Sequence, residues 1–214
     1  MTQSLLIIIC SKNPTQELIQ NITNLYKFFD KYDKKICIID SGSTNLTTYN
    51  KISEQFPLIE IHFENNKNYE YGAYKYAYLK YPDYDIYCCI QDTFIIIKNI
   101  DISKIDDKTV FTYSANPSGF YHHSNLKSLG KTLLNNTDLE YKELINKRFT
   151  LTTHCSFICS NYTIKNIFET LINPPVNKGG SCCYERLLGL YFIIKNYKNI
   201  NISRKVIKIH QKRK

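Results

Sequence analysis

Four short apolar runs, alternating with segments that predict helices, constrain the fold of this chain most. The first run, SLLIIIC at residues 4–10, contains no charged residue, which is typical of a parallel strand covered on both faces. KKICIID, LIEIHF and YDIYCCIQD follow it. The intervening segments, at 13–29, 49–56 and 65–82, show helical spacing or a loop leading into a helix. This alternation predicts an α/β fold with a mainly parallel central sheet.

The elements predicted after residue 101 are less regular. We expect a strand at 108–114, a helix at 122–136, a strand at 154–160, a helix at 161–172 capped by Asn161, a helix at 182–196 and a last strand at 201–210. Within the first half, Pro14 suits a first helical position. No internal repeat or linker is present, so residues 1–214 are predicted to form one domain with two functional halves that meet near residue 100.

Composition narrows the class of protein. Eight cysteines occur among 214 residues, and six of them lie in strand-like apolar runs, where cysteine is a common small core residue. We therefore expect thiols in a reducing compartment. Without a secretory signal, and with no apolar run of membrane-spanning length, the sequence predicts a soluble cytoplasmic protein.

The formal net charge of +9 raises the question of nucleic-acid binding. The lysines are scattered, however, and the densest cluster is KIHQKRK at 208–214. A solvated basic surface is the favoured interpretation, and nucleic acid is not the expected partner. Attraction of a small anionic substrate is a third possibility.

Polar side chains follow each of the first four predicted strands. In an open α/β sheet, ligands bind beyond the carboxyl ends of the strands, so these side chains mark a candidate binding edge. The sequence contains neither GxGxxG nor GxxxxGK[ST], which argues against a dinucleotide-binding Rossmann domain and against a P-loop. The polar strand ends are Ser11 with Lys12, Asp40 with Ser41, Glu64 with Asn65, and Gln91 with Asp92.

Three motifs in the first hundred residues, in this order, carry a family resemblance. They are CIIDSGSTN at 37–45, NKNYEYGAYKYAYL at 66–79 and YDIYCCIQDTFII at 84–96. Together they resemble the nucleotide-sugar-using glycosyltransferases of the GT-A fold. The resemblance implies a three-layer α/β/α sandwich, a nucleoside-diphosphate-sugar donor, a glycan or other hydroxyl acceptor, and hexosyl- or pentosyltransferase activity.

The resemblance also implies a metal site. Aligned on the apolar run and Thr93, the Asp-x-Asp motif of the family becomes Ile90, Gln91 and Asp92. Asp92 is then expected to bind Mn²⁺ or Mg²⁺, which stabilises the charge that develops on a leaving diphosphate. The first Asp is replaced by Ile90, and His210 is a candidate to complete the metal shell. The alternatives are a turn-capping role for Asp92 and a surface position for His210.

The same comparison implies roles for other residues. Asp40 is expected to accept a hydrogen bond from the base, although an Asp before SGS also suits a turn cap. In GGSCCYERLLGLYF, Glu185 is expected to deprotonate the acceptor hydroxyl and Arg186 to contact phosphate or orient Glu185. Alternatively, Glu185 is a solvated residue in a first helical turn. The remaining candidates for donor binding are Ser11, Lys12, Ser41, Asn68, Gly72 and Gln91.

Two rival functions stay open at this point. A sugar nucleotidyltransferase would need a glycine-rich loop bearing Arg or Lys after the first strand, and CSKNPTQEL contains no glycine. A non-catalytic GT-A-like module that binds carbohydrate or nucleic acid is kept open by Ile90, which occupies a metal-motif position.

Overall fold

Nine strands occur in the computed structural model, which describes residues 3–114, 117–121, 123–135 and 137–209. In chain order they are β1 (Ser4–Ser11), β2 (Asp33–Asp40), β3 (Glu60–His62), β4 (Ile86–Gln91), β5 (Phe94–Ile96), β6 (Thr109–Thr112), β7 (Phe157–Ser160), β8 (Lys198–Asn201) and β9 (Val206–Lys208). The α-helices of the same residues are α1 (Gln16–Phe28), α2 (Thr47–Gln55), α3 (Tyr69–Lys80), α4 (Ser124–Leu134), α5 (Asn161–Thr170) and α6 (Lys178–Ile194).

Seven of these strands form one sheet in the order β3-β2-β1-β4-β7-β6-β8. The first four strands of the chain pair in parallel, whereas β7 is antiparallel to both of its neighbours. The predicted mainly parallel α/β sheet is therefore confirmed. Strands β5 and β9 form a separate antiparallel pair.

The central strand β1 explains why the fold has three layers. Leu5, Ile7 and Ile9 pack on one face of the sheet with α1 and α2. Leu6 and Ile8 pack on the other face with α3, α5 and α6. Because successive strand side chains point to opposite faces, an unbroken apolar run is buried on both sides. The predicted α/β/α sandwich is thereby confirmed.

Helix α1 begins at Gln16, so the prediction that Pro14 occupies its first position is wrong. Asn13 has a left-handed backbone, with φ 47°, and its side-chain oxygen accepts hydrogen bonds from the backbone N–H groups of Thr44 and Asn45. The carbonyl of Pro14 accepts one from the Thr48 hydroxyl at 2.8 Å. These contacts to the loop after β2 and to the first turn of α2 hold residues 13–14 outside helix α1.

The predicted cap of α5 is also wrong by one residue. Ser160 caps the helix, because its hydroxyl accepts the backbone N–H of Thr163 at 3.3 Å. Asn161 is instead the first helical residue, and its side-chain amide donates to the carbonyl of Tyr84 at 2.8 Å. The end of β7 thus supplies the cap directly.

Helix α6 begins four residues earlier than predicted. The side chain of Asn177 accepts the backbone N–H of Gly180 at 2.8 Å, a capping bond that stabilises a first turn containing two glycines. Glu185 therefore lies about two turns into the helix, where the helix-dipole argument for a first-turn carboxylate does not apply.

The last predicted strand, 201–210, is in fact two strands in two different sheets. A short 3₁₀ turn at Ser203–Lys205 separates β8 from β9. Strand β9 then turns back to pair with β5, which places Lys208 opposite Phe94. His210, the candidate metal ligand, lies outside the described residues.

Six of the eight cysteines are buried, and Cys10 and Cys182 are half-buried. Within the described part of the chain, no helix combines the length and the apolar character that crossing a membrane requires.

Candidate active site

The carboxyl ends of β1, β2 and β4 lie side by side at one edge of the main sheet. The backbone N–H of Ser41 donates to the carbonyl of Ser11 at 2.9 Å, and the N–H of Asp92 donates to the carbonyl of Cys10 at 2.9 Å. Beyond this edge opens a cleft of about 350 Å³. The rule that ligands bind beyond the carboxyl ends of the strands, here called the strand-end rule, therefore leads to a cavity in the structure.

Five predicted donor or metal residues line this cleft: Ser11, Lys12, Ser41, Gln91 and Asp92. The rest of the lining comes from residues that were not selected as site residues from the sequence: Cys10, Asn66, Lys67, Tyr69, Glu70 and Val176. Four of these six follow β3, whose end belongs to the same edge. Their position after β3 is therefore the sequence signal for these four residues, which lie just beyond the predicted strand end at Glu64 and Asn65.

The carboxylate of Asp92 is buried directly after an apolar strand and is held there by hydrogen bonds. Its side chain is only 1% exposed, and one carboxylate oxygen accepts hydrogen bonds from the Ser11 hydroxyl and the Lys12 backbone N–H, both at 3.0 Å. These two donors compensate part of the cost of removing the charge from water. Asp92 thus ties the end of β4 to the end of β1.

We expect Asp92→Ala to reduce the free energy of unfolding by about 2 kcal/mol, because two donors at the end of β1 lose their acceptor. Asp92→Asn retains an acceptor oxygen and is expected to cost clearly less. Urea titration of both variants measures the difference. Equal losses for the two variants would show that the hydrogen bonds to Ser11 and Lys12 do not carry the stabilisation.

Asp40 is buried behind the cleft and does not line it. One carboxylate oxygen accepts the backbone N–H groups of Gly42 and Ser43, at 2.8 and 2.9 Å, and the other accepts the Tyr49 hydroxyl at 2.8 Å. Burial alone would raise the pKa of Asp40, but hydrogen bonds from Ser43, Tyr49 and Gly42 lower it below its ordinary value. Asp40 therefore shapes the loop that presents Ser41.

Asn68 and Gly72 also support the cleft from behind. The Asn68 side chain donates to the carbonyl of Pro175 at 3.1 Å, and its backbone N–H donates to the Asn66 side chain at 3.0 Å. A Cβ at position 72 would lie 2.3 Å from the Cβ of Asn68 and 2.7 Å from the Asn66 side-chain oxygen. Gly72 thus leaves room for Asn66, which lines the cleft and donates to the Ser41 hydroxyl at 3.2 Å.

Gln91 lies at the centre of a polar chain along the wall of the cleft. Its amide N–H donates to Glu70, and its amide oxygen accepts from the Lys208 ammonium. Glu70 also accepts from the Ser181 hydroxyl of α6 at 3.0 Å. Lys208 donates to the Thr93 hydroxyl as well. The chain links α6 to β9, and neither Glu70 nor Lys208 was selected from the sequence.

Glu185 lies on α6, and its side chain is 15% exposed. Burial raises the pKa of Glu185 above its ordinary value; the backbone N–H of His154 and the charge of Arg186 oppose the shift, and the charge of Glu70 adds to it. The His154 ring nitrogen Nδ1 lies 3.7 Å from the carboxylate. His154 itself has a left-handed backbone, with φ 55°. A carboxylate with a raised pKa is suited to accept a proton near neutral pH.

Arg186 is directed elsewhere. Its guanidinium donates to the carbonyl of Gly119 at 2.9 Å and to the carbonyl of Cys182 at 2.7 Å. These bonds anchor the segment around Gly119 to α6. The predicted roles of Arg186 at a phosphate or at Glu185 remain predictions.

The described residues provide a poor match to the predicted divalent-cation site. Ile90 occupies the first motif position and is buried in the apolar core. Across residues 3–114, 117–121, 123–135 and 137–209, no three His, Cys, Asp or Glu side chains group as metal ligands. The Lys208 ammonium bonds the residues on both sides of Asp92, so a divalent cation there would meet a like charge.

No protein-family model matches the chain, and no curated protein gives a significant match. Solved structures do match. Glucosyl-3-phosphoglycerate synthase of M. tuberculosis is 13% identical with a TM-score of 0.56, over 100% of this chain and 73% of that one. The chain has a GT-A-like fold.

Two further structures agree with this GT-A-like fold. The mannosyltransferase PcManGT from Pyrobaculum calidifontis, in complex with GDP-Man and Mn²⁺, is 13% identical with a TM-score of 0.55, over 94% of this chain. TarS 1–349 of S. aureus is 15% identical with a TM-score of 0.53, over 96% of this chain. This chain covers only 55% and 59% of those two chains.

Proposed function

We propose that this chain transfers a sugar, a hexose or a pentose, from a nucleoside-diphosphate sugar to an acceptor hydroxyl. One observation carries the proposal: Glu70, which lines the cleft of the GT-A-like fold, accepts a hydrogen bond from the Ser181 hydroxyl at 3.0 Å, and Ser181 lies one helical turn before Glu185 on α6. The candidate base is therefore proposed to lie next to the donor site, on the helix that contacts Glu70. PcManGT with GDP-Man and TarS with UDP-GlcNAc are solved complexes of the same fold.

The proposed reaction is a single displacement. The acceptor oxygen forms a bond to the anomeric carbon while the bond from that carbon to the diphosphate oxygen breaks, and the bonding electron pair leaves with the diphosphate. Glu185 takes the proton of the acceptor hydroxyl, which makes the attacking oxygen more nucleophilic. Direct attack inverts the anomeric configuration. The buried setting of Glu185 favours this role, because burial raises its pKa and so strengthens it as a base.

Donor contacts are proposed for the residues that line the cleft. The Lys12 ammonium and the hydroxyls of Ser11 and Ser41 offer donors and charge for ribose or phosphate. Tyr69 lines the same cleft, and an aromatic ring there suits stacking on a base. Asp40, Asn68 and Gly72 are proposed to act through the loops that they shape.

The sequence-predicted Mn²⁺ or Mg²⁺ is not assigned to the described residues, because they do not fit it. When bound, such an ion would neutralise charge on the diphosphate.

Calorimetric titration with UDP, GDP, uridine and guanosine, in EDTA and in Mn²⁺, tests donor binding. We expect one nucleoside diphosphate to bind more tightly than its nucleoside. A donor-hydrolysis assay, in which water replaces the unknown acceptor, then measures release of UDP or GDP from the matching sugar nucleotide. Absence of nucleotide binding under every condition would contradict the proposed function.

A non-catalytic GT-A-like binding module is the second candidate, and Ile90 in the metal motif favours it. The two candidates differ in turnover. Tight diphosphate binding with no donor hydrolysis over a panel of UDP- and GDP-sugars would support the module. Release of nucleotide above the rate in protein-free buffer would support the transferase.

A further inference from the structure

We infer that the Lys208 ammonium supplies the fixed positive charge that faces the donor diphosphate, in the place where the sequence predicts a divalent metal. This inference rests on the proposed function. It starts from the position of Lys208, whose ammonium bonds Gln91 and Thr93, the two residues that flank Asp92 at the end of β4.

The β5–β9 pair fixes this position. Lys208 lies opposite Phe94 in the antiparallel register, and the backbone N–H of Ile209 donates to the carbonyl of Thr93 at 2.9 Å. The lysine side chain then runs across the Phe94 ring, with the ammonium 4.8 Å from the ring centroid. A cation over an aromatic face is held by the ring quadrupole, so the charge is positioned before any ligand arrives.

A single hydrogen bond connects the Lys208 ammonium to a residue that lines the cleft. Gln91 lines the cleft, and its amide oxygen accepts from Lys208. A phosphate oxygen carries negative charge and is a stronger acceptor than a neutral amide oxygen. A diphosphate in the cleft therefore competes well for the ammonium, and Gln91 retains its second hydrogen bond, to Glu70.

Ile90 is consistent with this arrangement. An Asp at position 90 would add negative charge beside Asp92 and favour a divalent cation, whereas an apolar residue leaves Asp92 and Lys208 as charges of opposite sign at the strand end. Because the β5–β9 pair and the Phe94 ring hold the ammonium at the strand end, a short shift from Gln91 to a phosphate oxygen is enough for it to stabilise the charge that develops on the leaving diphosphate.

The test compares Lys208→Met, Lys208→Arg and Lys131→Met by calorimetric titration with UDP, GDP, uridine and guanosine, all in EDTA. Methionine keeps an unbranched apolar stem and removes the charge, whereas arginine keeps the charge. Lys131 is an exposed lysine of α4. Lys131→Met therefore removes the same charge as Lys208→Met, but at a position that does not line the cleft. Thermal unfolding of each variant checks that β9 still forms.

We expect the wild type to bind a diphosphate in EDTA, and Lys208→Met to weaken that binding about tenfold or more while leaving the affinity for the nucleoside unchanged. Lys208→Arg and Lys131→Met should stay close to the wild type. Loss of wild-type binding in EDTA with recovery in Mn²⁺ would overturn the inference, as would unchanged diphosphate affinity in Lys208→Met. Failure of the wild type to bind any nucleotide with or without Mn²⁺ would instead overturn the proposed function, and this inference with it.

Discussion

Replacing Glu185 with glutamine is expected to lower kcat for transfer or donor hydrolysis about 100-fold or more, the usual scale for loss of a general base. Donor affinity should change little, because Glu185 does not line the cleft at the ends of β1, β2 and β4. Steady-state kinetics and calorimetry on the same variant separate the two effects. Glu169→Gln, which changes an exposed glutamate of α5, is the matched control.

The pH dependence of the wild type should identify the same group. Burial raises the pKa of Glu185 above its ordinary value, so kcat/KM should fall on the acid side as the carboxylate gains its proton, at a pH above that of an ordinary glutamate. This acid limb should disappear in Glu185→Gln. An acid limb that persists unchanged in the variant would assign the base to another residue.

The raised pKa of Glu185 also predicts that Glu185→Gln increases the stability of the folded protein while it lowers activity. A glutamate whose pKa is raised by folding destabilises the folded state above that pKa, and the penalty vanishes below the unfolded value of about 4.3. Glu185→Gln should therefore be at least as stable as the wild type at neutral pH and should lose this advantage as the pH falls to about 4. A variant that is less stable at pH 7 would give Glu185 a structural role.

Gly189→Ala is expected to cost about 3 kcal/mol of unfolding free energy, at the top of the range for overpacking a well-packed interior. A Cβ at position 189 would lie 2.3 Å from the backbone carbonyl oxygen of Thr150 and 3.2 Å from the Cα of Leu151. Backbone atoms cannot rotate away as a side chain does, so α6 would have to move. Chemical denaturation measures the loss.

Gly179→Ala is the control for this prediction. It lies in the first turn of the same helix, and its Cβ would meet only the Asn177 side chain, at 3.3 Å. Because alanine is the better helix former by about 1 kcal/mol, this variant should be nearly neutral or slightly stabilised. Similar losses at both glycines would show that helix propensity, and not the contact with Thr150, determines the effect.

Much of the fold could be predicted because its signals are local. The run at β1 is apolar at each of five successive positions from Leu5 to Ile9. Such a run is enough to predict a strand that is buried on both faces of a sheet. The strand-end rule then located Ser11, Ser41 and Gln91 at one cleft. The loop after β3 ends at the same edge, and its residues Asn66 and Lys67 line the cleft as well.

Other features depend on contacts between distant residues and have no local signal. The hydrogen bond from Ser11 to Asp92 joins residues 81 apart in sequence, so the turn-cap and metal interpretations of Asp92 could not be separated from the sequence alone. The start of α6 was missed for a different reason. Two glycines suggest a loop by propensity, and the capping bond that the Gly180 backbone N–H donates to the Asn177 side chain outweighs that preference.

The return of β9 to β5 has a consequence for the order in which the protein matures during synthesis. Thr93 and Lys208 are 115 residues apart, so a ribosome-bound chain can assemble β1 to β4, with Ser11 bonded to Asp92, long before the ammonium emerges. Such a nascent chain lacks the Lys208 ammonium and also Val176, which lines the cleft. Given the role proposed for Lys208, the tightest binding of UDP or GDP should therefore be reached only after Lys208 has left the ribosome, and protection of nascent chains by these nucleotides should increase late.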